Sequence, residues 1–467
     1  MDHRCSRHIP VGLDRLVLTG DTTALRIEEY GPVERAKPDA PGQLVWEARD
    51  PLRLGNELHM PHYQDLAGGV LVAGSRTWTD VGREYEALIG HQKRGSIAAR
   101  EKAYEIKGSL IDAQEIVDRV IRWVRENIRY RNVPFGGHAV VPANSGETLR
   151  RRWGDCKDKS LLAQEMLATL GVKSELTLVS LGEPVSPALP TIHQFDHMIL
   201  HIPGGEKWRE QYVDLTELGG TRRAVPYGLE GGAALVVDGD SSRLAIMPSL
   251  EIALEHHVEM DHVAQLKPDG GAEFRDKISL GGKFASGMRE RLGEKSDAEL
   301  SRYVQEWLED EIPGATLLDV RLANADRTDL PFEITLGYAV QKMFSVEKGR
   351  VSFRQPGLFE RGFMKMPRSS ARRHPVRLPN AHVFSWKLRL LYPASWTVDR
   401  TVFEGPKSAD YVDWKGSSGA KPGELLFSAD WETHAVYAEP NEYPRLQREW
   451  EETVDAATPA VEFKGAE

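Results

Sequence analysis

A chain of 467 residues exceeds the size at which one hydrophobic core keeps growing, about 250–300 residues, so more than one domain is expected. Hydrophobic residues at 40% and charged residues at 28% are ordinary for folded globular proteins, and the formal charge of -10 argues against a nucleic-acid-binding surface. Only two cysteines occur, Cys5 and Cys156, which excludes a disulfide framework, and there is no CxxC pair for zinc or redox chemistry.

The opening stretch "MDHRCSRHIPVGLDRLVLTG" lacks a continuous apolar run and does not read as a secretory signal. No segment reaches the apolar length that spans a bilayer. As it stands the chain is expected to be cytoplasmic and not inserted in a membrane; a longer precursor would open a periplasmic reading. The metal-type residues of "DHRCSRH" fall in a terminus expected to be mobile. His59 and His62 in "HMPHY" have no evident third ligand.

Up to about Ala73, loosely alternating segments such as "TTALRIEEYG" and "GQLVWEARD" read as strands between Gly/Pro turns. A short helix is expected in "WTDVGREYEALIG" and a stronger one in "DAQEIVDRVIRWVRENIRY". In the latter Ile116, Val120, Val124 and Ile128 recur at every fourth position, widened by Val117 and Ile121, the pattern of a core-packing helix. "RNVPFGGHAVVPANSGE" reads as a loop.

The next helix begins at "GDCKDKSLLAQEMLATLG". Asp155 suits its N-cap, Asp158 has capping-box spacing, Leu161, Leu162, Met166 and Leu170 form its buried side, and Gly171 ends it. Cys156 therefore falls in the first turn, where unpaired N–H groups and the helix dipole favour a thiolate, with Lys157 and Lys159 adding positive charge.

Strands follow in "SELTLVSL", "FDHMILHI" and "EQYVDLTEL". A tight turn in "PGGEK" centred between Gly205 and Glu206 sets Met198 opposite Val213 and His197 opposite Asp214. Opposed residues have Cβ atoms about 4.5–5.5 Å apart, which suits an imidazole–carboxylate hydrogen bond. His193, His201 and the pair His256–His257 lack such a partner in this register. From about Glu251 the chain reads as β-rich, with "HHVEMDHVAQLKPDGGAEFRDKISLGG", "AHVFSWKLRLLY" and "GELLFSADWE" as strands. One helix is expected there, capped by Ser296 and Glu299, and the basic run "RSSARRHPVR" reads as a solvated loop.

The blocks "GDCKDKSLLAQEMLATLGV", "FDHMILHI" and "YVDLTE" resemble, in order, the Cys, His and Asp blocks of the transglutaminase-like superfamily of papain-like cysteine enzymes. The resemblance implies an α+β fold, with a Cys-bearing helix packed on an antiparallel sheet that carries His and Asp, flanked by β-rich domains. It divides the chain into residues 1–107 (an incomplete β-rich domain of unknown function plus a short helix), 108–250 (the catalytic core) and 251–467 (a β-rich region with one helix). "NELHMPHYQDLAGGVLVAGSRTWTDVGREYEALI" is similar to the end of the β-rich domain that precedes this core in bacterial multidomain proteins. Cys156 takes the nucleophile's place, His197 the general base's and Asp214 the orienting carboxylate's.

The implied chemistry is attack on an amide carbonyl through a thioester, needing no metal or organic cofactor. The Cys156 backbone N–H is a natural oxyanion donor, and Asn144, Trp153 and Tyr130 are the side-chain candidates, with no choice among them. The expected partner is a peptide or protein substrate. Hydrolysis is favoured over amine transfer because the acidic loops of calcium-regulated crosslinking are absent from the sequence. A non-catalytic peptide-binding scaffold is the reading from a different class.

Overall fold

A computed structural model describes residues 1–6, 9–55, 57–131, 140–217, 225–226, 228–248, 257–327, 330–356, 372–378, 383–403, 408–409, 412–434, 436–456 and 458–465. The chain divides into two compact units, Met1–Leu250 and Glu251–Glu467. Among the described residues no helix is long and apolar enough to cross a membrane.

The first unit opens with strands β1 (Asp2–Arg4), β2 (Leu13–Thr19), β3 (Arg26–Tyr30), β4 (Glu34–Ala36) and β5 (Gln43–Arg49), a single helical turn α1 (Tyr63–Leu66) and β6 (Gly69–Ala73). They form two three-stranded sheets, in the orders β1-β6-β3 and β2-β5-β4. The terminus expected to be mobile is thus a paired strand, with His3 opposite Val70. Four helices follow, α2 (Trp78–Ile89), α3 (Ile97–Lys107), α4 (Ala113–Asn127) and, beyond β7 (Arg129–Tyr130), α5 (Ser145–Arg151). Residues 132–139 of the expected loop lie outside the described residues, and its end is helical instead, because Asn144 caps α5 by accepting from Gly146 N at 2.9 Å.

After β8 (Trp153–Gly154) comes α6 (Cys156–Thr169). Its capping box is complete, Asp155 and Asp158 each accepting from the other's backbone N–H. It ends in a Schellman motif: Gly171, at φ 82°, donates to Ala168 O and Val172 donates to Leu167 O at 2.9 Å. The unit closes with β9 (Glu175–Val179), β10 (His197–Ile202), β11 (Gln211–Val213), β12 (Ala233–Val237) and β13 (Arg243–Ile246), an antiparallel sheet in the order β11-β10-β9-β12-β13.

The apolar stripe of α4 and the buried side of α6 pack on this sheet with Leu176, Leu178, Met198, Leu200 and Val213. Val179, Ile199, Tyr212, Leu229 and Met247 form a second cluster, built on the alternate residues of the same strands. Every residue of β9 and β10 is therefore buried, polar ones included.

The second unit contains β14 (His257–Leu266), β15 (Ala272–Leu280), α7 (Gly282–Leu292), α8 (Asp297–Glu311), β16 (Ala315–Ala323), β17 (Phe332–Val340), β18 (Val346–Glu347), β19 (Arg350–Arg354), β20 (Val376–Leu378), β21 (Val383–Leu391), β22 (Thr397–Val402), β23 (Ser408–Ala409), β24 (Val412–Lys421), β25 (Glu424–Thr433), β26 (Val436–Ala438), α9 (Tyr443–Ala456) and β27 (Ala460–Lys464). Its main sheet has eight strands, β16-β17-β15-β14-β21-β25-β24-β23, in which β14 and β21 run parallel. The expected helix is α8, with its Ser296–Glu299 box formed, but the described residues of this region carry three helices rather than one. In α9, Leu446, Trp450 and Val454 supply the buried four-residue spacing. The basic run is not a solvated loop where it is described: Arg372 and His374 are buried, and the Arg372 guanidinium lies 5.0 Å from the centre of the Tyr443 ring.

Candidate active site

Cys156 is the first residue of α6, partly exposed at its N-terminus. His197 begins β10, and Asp214 lies one residue past β11; both are buried. The structure brings the three together. His197 Nε2 lies 2.7 Å from Asp214 Oδ2, and the Cys156 thiol is near enough to the imidazole to contribute to its raised pKa.

The hairpin register differs from expectation by two residues. Leu200, not Met198, pairs with Val213, and the connection spans residues 203–210. Within it Gly205 N donates to Trp208 O, and Trp208 Nε1 donates to Pro203 O, both at 2.9 Å, so the indole fills a wider turn. A two-residue slip preserves which face each side chain takes. His197 and Asp214 are consequently diagonal neighbours, close enough for long side chains to meet.

Asp214 is held at every oxygen. Oδ1 accepts from Thr216 N and Thr216 Oγ1, both at 2.7 Å. Its carbonyl accepts from Arg125 Nη2 at 2.6 Å and Nε at 3.0 Å. Arg125 is buried on α4, and Lys159 Nζ donates to the Arg125 carbonyl at 3.4 Å.

The electrostatics follow from this burial. Desolvation disfavours the His197 imidazolium, but the hydrogen bonds to Asp214 and Cys156 overcome it and raise the pKa to about 10. Desolvation likewise opposes ionisation of Asp214, yet its bonds to His197 and Thr216 hold its pKa below the ordinary carboxylate value. Burial and the neighbouring Asp214 charge push Glu217 up to about 7. Burial and Arg125 bring Lys159 down to about 7. Lys157 is ion-paired to the cap residue Asp155. The two lysines expected to lend α6 free positive charge are thus a buried partner of Asp155 and a readily deprotonated amine.

The oxyanion candidates separate. Asn144 is committed elsewhere, its Oδ1 capping α5 and its Nδ2 donating to Gln92 O at 3.0 Å. The Trp153 ring carries the Arg151 guanidinium 4.1 Å from its centre and that of Arg131 at 5.5 Å. Tyr130 pairs with Gly154 across β7 and β8, and its phenol is raised in pKa by burial and then by the charges of Cys156, Asp155 and Asp214.

Several residues of this neighbourhood escaped the sequence reading. Tyr85 is buried on α2, where desolvation and then the Cys156 charge raise its pKa, and its hydroxyl donates to Val140 O at 2.9 Å. Asp158 accepts from Ala143 N at 2.7 Å and from Arg151, tying the chain before α6 to the cysteine turn. Arg125 was legible in principle, since it continues the Val117, Ile121, Ile128 line of the α4 stripe.

The other histidines divide. His201, expected to lack a partner, has two: Glu175 at 2.8 Å, its cross-strand neighbour on β9, and Glu210 at 2.9 Å. His193 is exposed, His62 donates to Gly182 O at 2.7 Å, and His256 lies outside the described residues.

No family model and no curated protein matches the chain. A solved structure from Parabacteroides distasonis, named a "putative protease", superposes with a TM-score of 0.61 at 13% identity, covering 99% of this chain and 74% of that one. The chain shares that protein's fold. A structure from Cytophaga hutchinsonii, named a "putative cysteine protease", covers 51% of this chain and 75% of its own at 13% identity, with a TM-score of 0.22 that carries no argument.

Proposed function

We propose that this chain is a cysteine enzyme with a transglutaminase-like, papain-type core that cleaves a peptide or related amide, with Cys156 as nucleophile, His197 as base and acid, and Asp214 as orienting group. The observation that carries the reading is the buried imidazole held between Asp214 and the thiol of a helix N-terminus. The fold shared with a protein named as a protease supports the class.

The raised pKa of His197 favours a thiolate–imidazolium pair at neutral pH. The thiolate sulfur attacks the amide carbonyl carbon, and the π electrons move to oxygen. The Cys156 N–H, which no carbonyl within the helix reaches, faces the developing charge, with Tyr130 as the side-chain donor. Collapse breaks the C–N bond while His197 Nδ1 gives its proton to the leaving amine, leaving a thioester. Water then attacks, His197 takes its proton, and breaking the C–S bond releases a carboxylic acid and regenerates the pair. Asp214 holds Nε2–H throughout, fixing the tautomer.

The test is to incubate wild type and Cys156→Ala with a proteome-derived peptide mixture and count new N-termini by mass spectrometry. New termini from wild type alone support amide hydrolysis. Amine-adduct products, when a primary amine is added, would assign acyl transfer instead. No Cys156-dependent product with either acceptor would leave the fold to a binding role.

A further inference from the structure

The N-terminal strands hold a cluster that the proposed reaction does not use. His3 lies in β1, Cys5 follows that strand's end, and Asp14 lies in β2, which belongs to the other three-stranded sheet. One ligand-type atom from each of the three lies within 4.8 Å of the others. His3 Nε2 stands 2.5 Å from Asp14 Oδ1, and Cys5 is 2% exposed.

An imidazole nitrogen, a thiolate and a carboxylate oxygen form a donor set suited to Zn2+, at roughly 2.0–2.3 Å from the ion. Tetrahedral donors at those lengths sit roughly 3.3–3.8 Å apart, so the pair at 2.5 Å would open by about 1 Å, and the other separations, none above 4.8 Å, would close by at most about 1.5 Å. Side-chain rotation of His3 and Asp14, both partly exposed, supplies such shifts.

We propose that His3, Cys5 and Asp14 bind one borderline-soft divalent cation of the Zn2+ type, with water in the fourth position, clipping the β1 sheet to the β2 sheet. The ion takes the place of the proton shared by His3 and Asp14: Nε2 and the carboxylate oxygen become donors, the imidazole keeps its proton at Nδ1, and the Cys5 thiol releases its proton to solvent. The clip has a physical purpose. No residue of β2 is fully buried, so apolar packing holds that strand weakly, and small layers of this kind gain from a metal staple.

The test uses the tag-free full chain carrying Cys156→Ser, in which Cys5 is the sole thiol. Co2+ titration is expected to give thiolate-to-metal charge-transfer absorption saturating at one equivalent, displaced by Zn2+, and Zn2+ should raise the melting temperature. Because Cys5→Ser changes a buried position, His3→Gln on the same background is the second variant; its expected effect is roughly tenfold weaker Co2+ binding or more. No charge-transfer band in excess Co2+, or a band of equal affinity in His3→Gln, would overturn the site. Since Cys156 is absent from this protein, neither result bears on the reaction proposed above.

Discussion

The two ends of β10 each bury a histidine beside a carboxylate, and they differ in what the second ring nitrogen meets. At one end His201 has its two ring nitrogens within hydrogen-bond distance of Glu175 and Glu210 while its ring stacks on Tyr212 at 4.4 Å. Lys173 and Arg243 complete a closed ion cluster around Glu175. At the other end His197 has one nitrogen on Asp214, and the partly exposed Cys156 thiol is near enough to the ring to help raise its pKa. Burial and a carboxylate partner are thus common to both ends. Only the His197 end sets the imidazole near a nucleophilic group, the Cys156 thiol. The comparison teaches that a histidine between two carboxylates is a structural cross-link, and that a thiol in place of the second carboxylate makes it a candidate base.

The sharpest way to break this contrast is to disable one end at a time. Asp214→Ala should lower peptide turnover by roughly 10³–10⁴-fold, because nothing then orients His197 or stabilises its imidazolium. His201→Gln should leave turnover within about twofold while costing about 1–3 kcal/mol of stability by removing a buried hydrogen bond to the Glu175 carboxylate. Kinetics with thermal melts on both variants check this; equal losses of turnover would erase the distinction between the two ends.

The acid limb of stability sharpens it further. Burial opposes the charge of Glu175, but His201, Lys173 and Arg243 hold its pKa down to about 2. A depressed carboxyl pKa contributes stability that is present above its ordinary value near 4.5 and is lost as pH falls toward 2. Melting temperature measured from pH 5 to pH 2.5 should therefore fall less steeply in His201→Gln than in wild type.

Arg125→Met probes the His197 end without touching the side chains of Cys156, His197 or Asp214. Losing two donors to the buried Asp214 carbonyl should cost about 1–3 kcal/mol, with KM changed less than kcat as Asp214 drifts from His197. Chemical denaturation and steady-state kinetics on the same sample separate the two effects.

The smallest expected effect concerns Glu217. Its native pKa of about 7 lies above the ordinary value of 4.5, so the folded chain binds the extra proton and stability falls as pH rises from about 4.5 to 7. Glu217→Gln should remove that decline, raising the melting temperature more at pH 8 than at pH 5.

Much of this site was legible in the residues themselves. The stripe of α4, the capping box of α6 and the strand carrying His197 follow from periodicity and side-chain chemistry that act within a few residues. The pairing of His197 with Asp214 was legible as well, although "PGGEK" suggested a tighter turn than the Trp208 ring allows. Glu175 became visible as the partner of His201 only with the β9–β10 register. Arg125 and Tyr85 come from distant segments, and the backbone carbonyl that Arg125 serves leaves no mark in sequence. The helices α5 and α7 were missed because short or glycine-bearing segments owe their form to tertiary packing more than to propensity, whereas α3 and α9 carry a helical spacing, Ala99, Ala103 and Ile106 in one and Leu446, Trp450 and Val454 in the other, that the sequence reading passed over.

The most direct test of the central claim is the pH dependence of iodoacetamide labelling at Cys156, followed by mass spectrometry in wild type and His197→Ala. The reference is the same cysteine in the unfolded chain, because Cys5 is 2% exposed in the native state. The account predicts that native Cys156 labels faster than the reference, that this advantage persists below neutral pH, and that it disappears in His197→Ala. Labelling no faster than in the unfolded chain, or unchanged by loss of His197, would contradict a thiolate–imidazolium pair and with it the catalytic reading.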